Sequence, residues 1–217
     1  MPNIVLQDLT AVIHNTSRFN GGQFDVVHVE TLLQTSEAIP QEMYWYVPAG
    51  VTPNPAAEII FKATNFLMYP MSETKLLEGT EDIKEQALSG NFDGTLEDAS
   101  KFLMLSMMKK QSLEPITGTN NLFRLSYDYK IFPIPASNDF EFKVVLPFDG
   151  LEVQAGGAVQ LSVIMPIGSQ LNAELTSGLQ PDGSKIEEQI VELTNLNRRI
   201  VYFRYQNDPL FNVRYTY

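Results

Sequence analysis

Two histidines, His14 and His28, and no cysteine are all this sequence offers for imidazole or thiolate ligation of zinc, so its possible metal chemistry is narrow from the start. The two imidazoles fall near one predicted hairpin, where they could form a metal pair or an acid–base couple. Such a site still needs carboxylates in register to close a tetrahedron, and ordinary strand polarity accounts for both residues. Asp93, Glu97 and Asp98 could supply oxygen ligands to calcium, but their spacing matches no calcium loop and suits helix capping. Paired carboxylates for glycoside hydrolysis can come from distant parts of a chain, and Asp128, Glu141 and Glu152 are the nominal candidates. Their neighbours alternate as a solvated strand face does. The Gly-x-Ser-x-Gly elbow is absent, and Gly156 with Gly157 lacks the Lys and Ser or Thr of a phosphate loop. These readings predict no catalytic residue, no cofactor and no metal.

Aromatic residues are the remaining candidates for recognition. Tyr44, Trp45 and Tyr46 sit together in a short β-forming run followed by a proline-rich connection. Alternation sends Tyr44 and Tyr46 to one face and Trp45 to the other, so one side at most is a platform and the other packs inward. At the C-terminal end Phe211, Val213, Tyr215 and Tyr217 alternate against Asn212, Arg214 and Thr216. A terminus still in pattern pairs within the fold or is donated to a neighbouring subunit. The candidate binding surface is therefore Tyr44, Trp45, Tyr46, Phe211, Tyr215 and Tyr217.

Those side chains need strands to position them, and the chain is rich in strand patterns. The stretch 140–166 reads as a β-meander: Phe140, Phe142, Val144 and Leu146 share one face, and Val159, Leu161, Val163 and Met165 repeat the pattern after turns at 147–150 and 156–157. Strands are also expected over 4–13, 24–33, 43–47, 58–63, 122–131, 199–206 and 211–217, the first two as antiparallel neighbours around the turn Asn20, Gly21 and Gly22. Between 72 and 115 the character turns helical. Thr80, Glu81 and Asp82 start one helix that Gly90 stops, and a second runs over 96–110 with Ala99, Phe102, Leu103 and Met107 on its inner face and Lys109 and Lys110 at its end. Ser184 with Glu187 has capping-box spacing, which predicts a further helix over 185–196 with Ile186, Ile190 and Leu193 inward, although 190–193 also suits a strand.

The expected fold is mainly β, a β-sandwich or jelly-roll of antiparallel sheets with a helical insertion at about 80–110. One domain spans 1–217 with the insertion at 72–115; the alternative divides it into 1–115 and 116–217. At 217 residues the chain buries enough surface to need neither disulfide nor metal for stability. Fifteen basic residues against 26 acidic ones give a net charge of −11, which repels phosphate backbones and anionic lipid, so neither nucleic acid nor membrane is an expected partner. No secretory signal is visible at Met1, Pro2 and Asn3, and the apolar run 102–108 is too short to span a bilayer.

In general character, acidic, free of cysteine, rich in Asn and Gln and ending in the patterned aromatic stretch 207–217, the chain resembles tailed-phage virion proteins: capsid-decoration, head-fibre, or neck and tail components. The resemblance implies a non-enzymatic structural protein, assembled in a host cytoplasm and resident in the virion. It would be present in repeated copies or as a homo-oligomer and contact other structural proteins of the same assembly. The alternative is a carbohydrate- or receptor-binding module on a cytoplasmic or extracellular surface, with Tyr44, Trp45, Tyr46 and the proline loop as its contact surface.

Overall fold

The computed structural model describes residues 2–39, 44–49, 70–134, 137–145, 151–180, 182–205 and 210–217. The expected strand at 58–63 and the turn at 147–150 lie outside them. In the first half the strands are β1 (Asn3–His14), β2 (Asp25–Thr35), β3 (Tyr44–Pro48), β4 (Met108–Ser112) and β5 (Glu114–Pro115). They continue as β6 (Leu122–Ile131), β7 (Phe140–Val145), β8 (Glu152–Ile164), β9 (Gln170–Leu171) and β10 (Ser177–Leu179). Last come β11 (Lys185–Ile186), β12 (Gln189–Leu193), β13 (Arg198–Tyr205) and β14 (Leu210–Thr216).

The architecture is mainly β and sandwich-like. A seven-stranded sheet runs in the order β12-β13-β8-β1-β2-β6-β5, and a five-stranded sheet has the order β11-β10-β14-β7, with β9 also on β14. Strands from both halves of the chain interleave in the larger sheet. Its neighbours are antiparallel except β1 and β8, which run parallel at the centre. Period-two burial explains why these runs are strands: Leu9, Ala11 and Ile13, then Val27, Val29 and Leu33, and then Val159, Leu161 and Val163 all point inward. The smaller sheet answers with Phe142, Val144, Phe211 and Val213. Phe203 of β13 meets Phe211 of β14 at 4.8 Å between ring centres, which fastens one layer to the other.

The stretch 140–166 is not a meander. β7 pairs with β14 in the smaller sheet, whereas β8 lies between β1 and β13 in the larger one. β8 also begins earlier than expected, at Glu152, and carries Gly156 (φ 81°) within a bulge against β1. There the register jumps from Ile4 opposite Val153 to Leu6 opposite Ala158. The two glycines are the kink of one strand and do not separate two.

The helical insertion is present as α1 (Glu73–Leu77), α2 (Ile83–Ser89) and α3 (Phe92–Ser106). Gly90 ends α2 in the left-handed conformation (φ 77°), as its position predicts. α3 starts earlier than expected, because Asn91 caps it, accepting a bond from the Gly94 amide. It also stops sooner. Lys109 and Lys110 belong to β4, which pairs with β3, and Lys110 Nζ sits 3.2 Å from the centre of the Tyr44 ring. From the buried face of α3, Met104 packs against Met71, Leu76 and Met108, while Phe102 is exposed.

The helix expected at 185–196 is absent. The segment forms β11, β12 and a single 3-10 turn, with Val191 opposite Ile200 of β13. Ser184 does not cap a helix; its amide donates to Asp182 Oδ1 at 2.8 Å, which closes a turn. Cross-strand pairing with β13 outweighs a helical spacing that has no surface to bury against.

Candidate functional site

A concavity lies at one end of the sandwich, where the β1–β2, β6–β7 and β8–β9 connections meet the end of β14. Its volume is about 550 Å³, within the usual range for small-ligand sites. Below it lies an acid on an apolar face. Asp25 begins β2 on the inward side with Val27 and Val29, and it is fully buried. Its carboxylate accepts three bonds: from the Ser17 amide to Oδ1 at 2.8 Å, and to Oδ2 from the hydroxyls of Tyr215 at 2.8 Å and Tyr217 at 2.7 Å. A buried carboxylate is tolerable only when so partnered. The two tyrosine bonds tie the larger sheet to the last strand of the smaller one and the residue after it, and the Ser17 bond fixes the β1–β2 connection over the same carboxylate.

Burial, with the Asp25 carboxylate alongside, pushes the Tyr215 phenol far above its ordinary value. Tyr217 is raised by the same causes, with the Ser17 hydroxyl acting in the opposite sense. Both stay protonated donors throughout the physiological range. Phe140 stacks on Tyr215 at 5.5 Å and meets Tyr217 edge-on at 6.0 Å, so the three rings make a fixed wall. Tyr217, at 46% exposed, forms its rim.

The rest of the rim is equally well braced. Asn15 Nδ2 donates to the Ile167 carbonyl at 3.0 Å, which holds the β8–β9 connection against the β1–β2 loop. Within that loop Asn20 Oδ1 accepts from the Gln23 amide at 2.9 Å, and Thr16 Oγ1 accepts from the Val26 amide at 2.9 Å. Arg18 lines the cavity, and its guanidinium has no ion pair or hydrogen bond among the described residues. No side-chain carboxylate is among the described residues that line the cavity. The nearest acid along the chain, Asp139, is held by Arg214 Nε at 2.9 Å.

The residues singled out by sequence fall differently. Trp45, Phe211 and Tyr215 are buried, so they build the core and present no surface. Tyr44 and Tyr46 are half-buried on the β3–β4 ribbon, edge to face at 6.2 Å, distant in sequence from Tyr217 and not part of its cavity. His14 and His28 both occupy the outer face of the larger sheet, His14 opposite Val26 and His28 opposite Val12. His28 Nδ1 lies 2.8 Å from Asp128 Oδ1, an exposed strand-to-strand pair. Glu141 pairs with Lys143 at 3.1 Å on the outer face of the other sheet, so Asp128 and Glu141 do not converge. Asp98 is buried and held by Lys101 at 3.3 Å and Gln86 at 3.0 Å, which is a structural role.

Among the described residues no group of three or more His, Asp or Glu is placed to hold a metal. Nor is any helix among them long and apolar enough to cross a membrane. The chain matches no protein-family model and no curated protein. Sequence reasoning passed over Asp25, Arg18, Asn138 and Ile167. One signal was present: Asp25 shares its strand parity with Val27 and Val29, and an acid on an apolar face must be answered by donors from elsewhere.

Proposed function

We propose that this protein is a non-enzymatic structural component of a large assembly, present in repeated copies and working through contacts with neighbouring protein subunits. The observation that supports it is the free edge of the larger sheet. Among the described residues β12 has β13 as its one strand neighbour, and Ile190 and Val191 on it are 41% and 50% exposed. Unpaired backbone beside apolar side chains is what an incoming strand requires, and proteins that stay single usually blunt such an edge with lysine, proline or a bulge. The run Gln189, Ile190, Val191, Glu192 and Leu193 has none of these, and its register with β13 is unbroken. Covering the exposed parts of Ile190 and Val191 would contribute about 1 kcal/mol each, in addition to the backbone bonds. The net charge of −11 keeps unassembled copies soluble.

The finer reading, a virion component of the capsid-decoration or head and tail kind, follows from the resemblance in sequence character to tailed-phage structural proteins. Light scattering over a concentration series tests the general claim. The expected result is a particle mass that grows with concentration and returns to that of the single chain in Val191→Lys. A chain that remains single throughout, or association that Val191→Lys leaves untouched, would refute it.

A further inference from the structure

We propose that the cavity at the sandwich end is a binding site for an acidic sugar, a pyranose ring carrying a carboxylate. The reasoning is independent of the β12 edge and rests on the two chemistries that line the cavity. Pro133, Phe140, Ile167 and the Tyr217 ring line it with apolar surface, and Asn15, Arg18 and Asn138 add polar groups. A pyranose carries both chemistries, with C–H groups on its faces and hydroxyls around its rim, and aromatic rings favour the C–H face. The volume of about 550 Å³ leaves room for one ring and part of a second.

Charge selects among sugars. In a chain with 26 acidic residues against 15 basic ones, a cavity whose described lining holds an arginine and no Asp or Glu is a departure from the average surface. The nearby acids are already committed: Asp25 to three donors below the cavity, Asp139 to Arg214. Arg18 is thus free to engage an external anion, and a planar guanidinium matches a carboxylate through two parallel bonds. Asn138, exposed at the same cavity, makes no side-chain bond among the described residues, which leaves its amide available to sugar hydroxyls. Gly22 and Gly168, both at φ 81°, line the cavity without side chains and let a ring approach the backbone. The site is also rigid beforehand. The Tyr217 ring is anchored through its hydroxyl and the Ile167 carbonyl through Asn15, so little order has to be imposed on binding.

Calorimetric titration with D-glucuronate and with N-acetylneuraminate, each compared with D-glucose, tests the proposal on the intact chain. At least one acidic sugar should bind about tenfold more tightly than glucose, and Arg18→Gln should remove that preference. Arg124→Gln, on the outer face of the larger sheet and paired there with Glu30 at 3.2 Å, should change nothing. Arg18 is exposed, so its replacement leaves folding intact, which thermal melting verifies. Equal binding of glucose and both acids, an Arg18→Gln chain that keeps the preference, or no binding of either acid would each overturn the proposal.

Discussion

Asp25 shows how a single residue can couple two layers. It starts a strand of one sheet yet takes hydroxyl donors from the last strand of the other and from the residue that follows it. Bonds to a buried charge are worth about 1.5–3 kcal/mol, so Tyr215→Phe should lower the free energy of unfolding in urea by that amount. Asp25→Ala should cost more, because it leaves the Tyr215 hydroxyl and the Ser17 amide buried without a partner. The tyrosines also set an alkaline limit. Burial raises the phenols of Tyr127, Tyr129 and Tyr215 above their ordinary value. Each keeps its proton in the folded chain at a pH where the unfolded chain has lost it. Their contribution is therefore fully present below about pH 10 and declines above it, by about 1.4 kcal/mol per pH unit for each tyrosine. Urea titrations between pH 8 and about 11 should show this decline, and Tyr129→Phe should make it shallower by one tyrosine's share.

Among the elements, the bulge in β8 is the most constrained. A Cβ added at Gly157 would lie 2.7 Å from the Ile4 carbonyl oxygen, which is backbone held in the sheet and cannot move aside. Gly157→Ala should cost about 1–3 kcal/mol in denaturant unfolding, through overpacking alone. Gly21→Ala has open space around it and pays only for its left-handed φ of 75°, about 1 kcal/mol. The helical insertion behaves as a small unit of its own, because its apolar cluster of Met71, Leu76, Met104 and Met108 is separate from the core between the sheets. Met104→Ala should therefore speed hydrogen exchange across α1 and α3 while amides of β1 and β2 keep their protection.

Legibility also differed from element to element. β6 runs over Leu122–Ile131 as its alternation predicts, because one face is covered and the other solvated along its whole length. The segment 185–196 misled because Ile186, Ile190 and Leu193 share a helical spacing by coincidence, and which of strand or helix prevails depends on β13, a partner that local pattern does not contain. The same holds for the sandwich-end cavity: Asn15, Arg18, Asn138, Ile167 and Tyr217 come from four separate stretches, and only the folded connections bring them together.

For the molecule as a whole, the two functional proposals use different residues, Ile190 and Val191 on an edge for neighbours and the lining of an end cavity for a ligand. Whichever acidic sugar binds should accordingly titrate the assembled and the Val191→Lys forms with the same affinity. The parallel pairing of β1 with β8 has a different consequence, one in time. On a ribosome β2 follows β1 almost immediately, but Glu152–Ile164 emerges only after most of the remaining chain has been made. Until then one flank of β1 stays open on the nascent chain. Such distant closure is characteristic of slow folders, completing in milliseconds to seconds, and it makes the arrival of β8 the natural rate-limiting event of biogenesis.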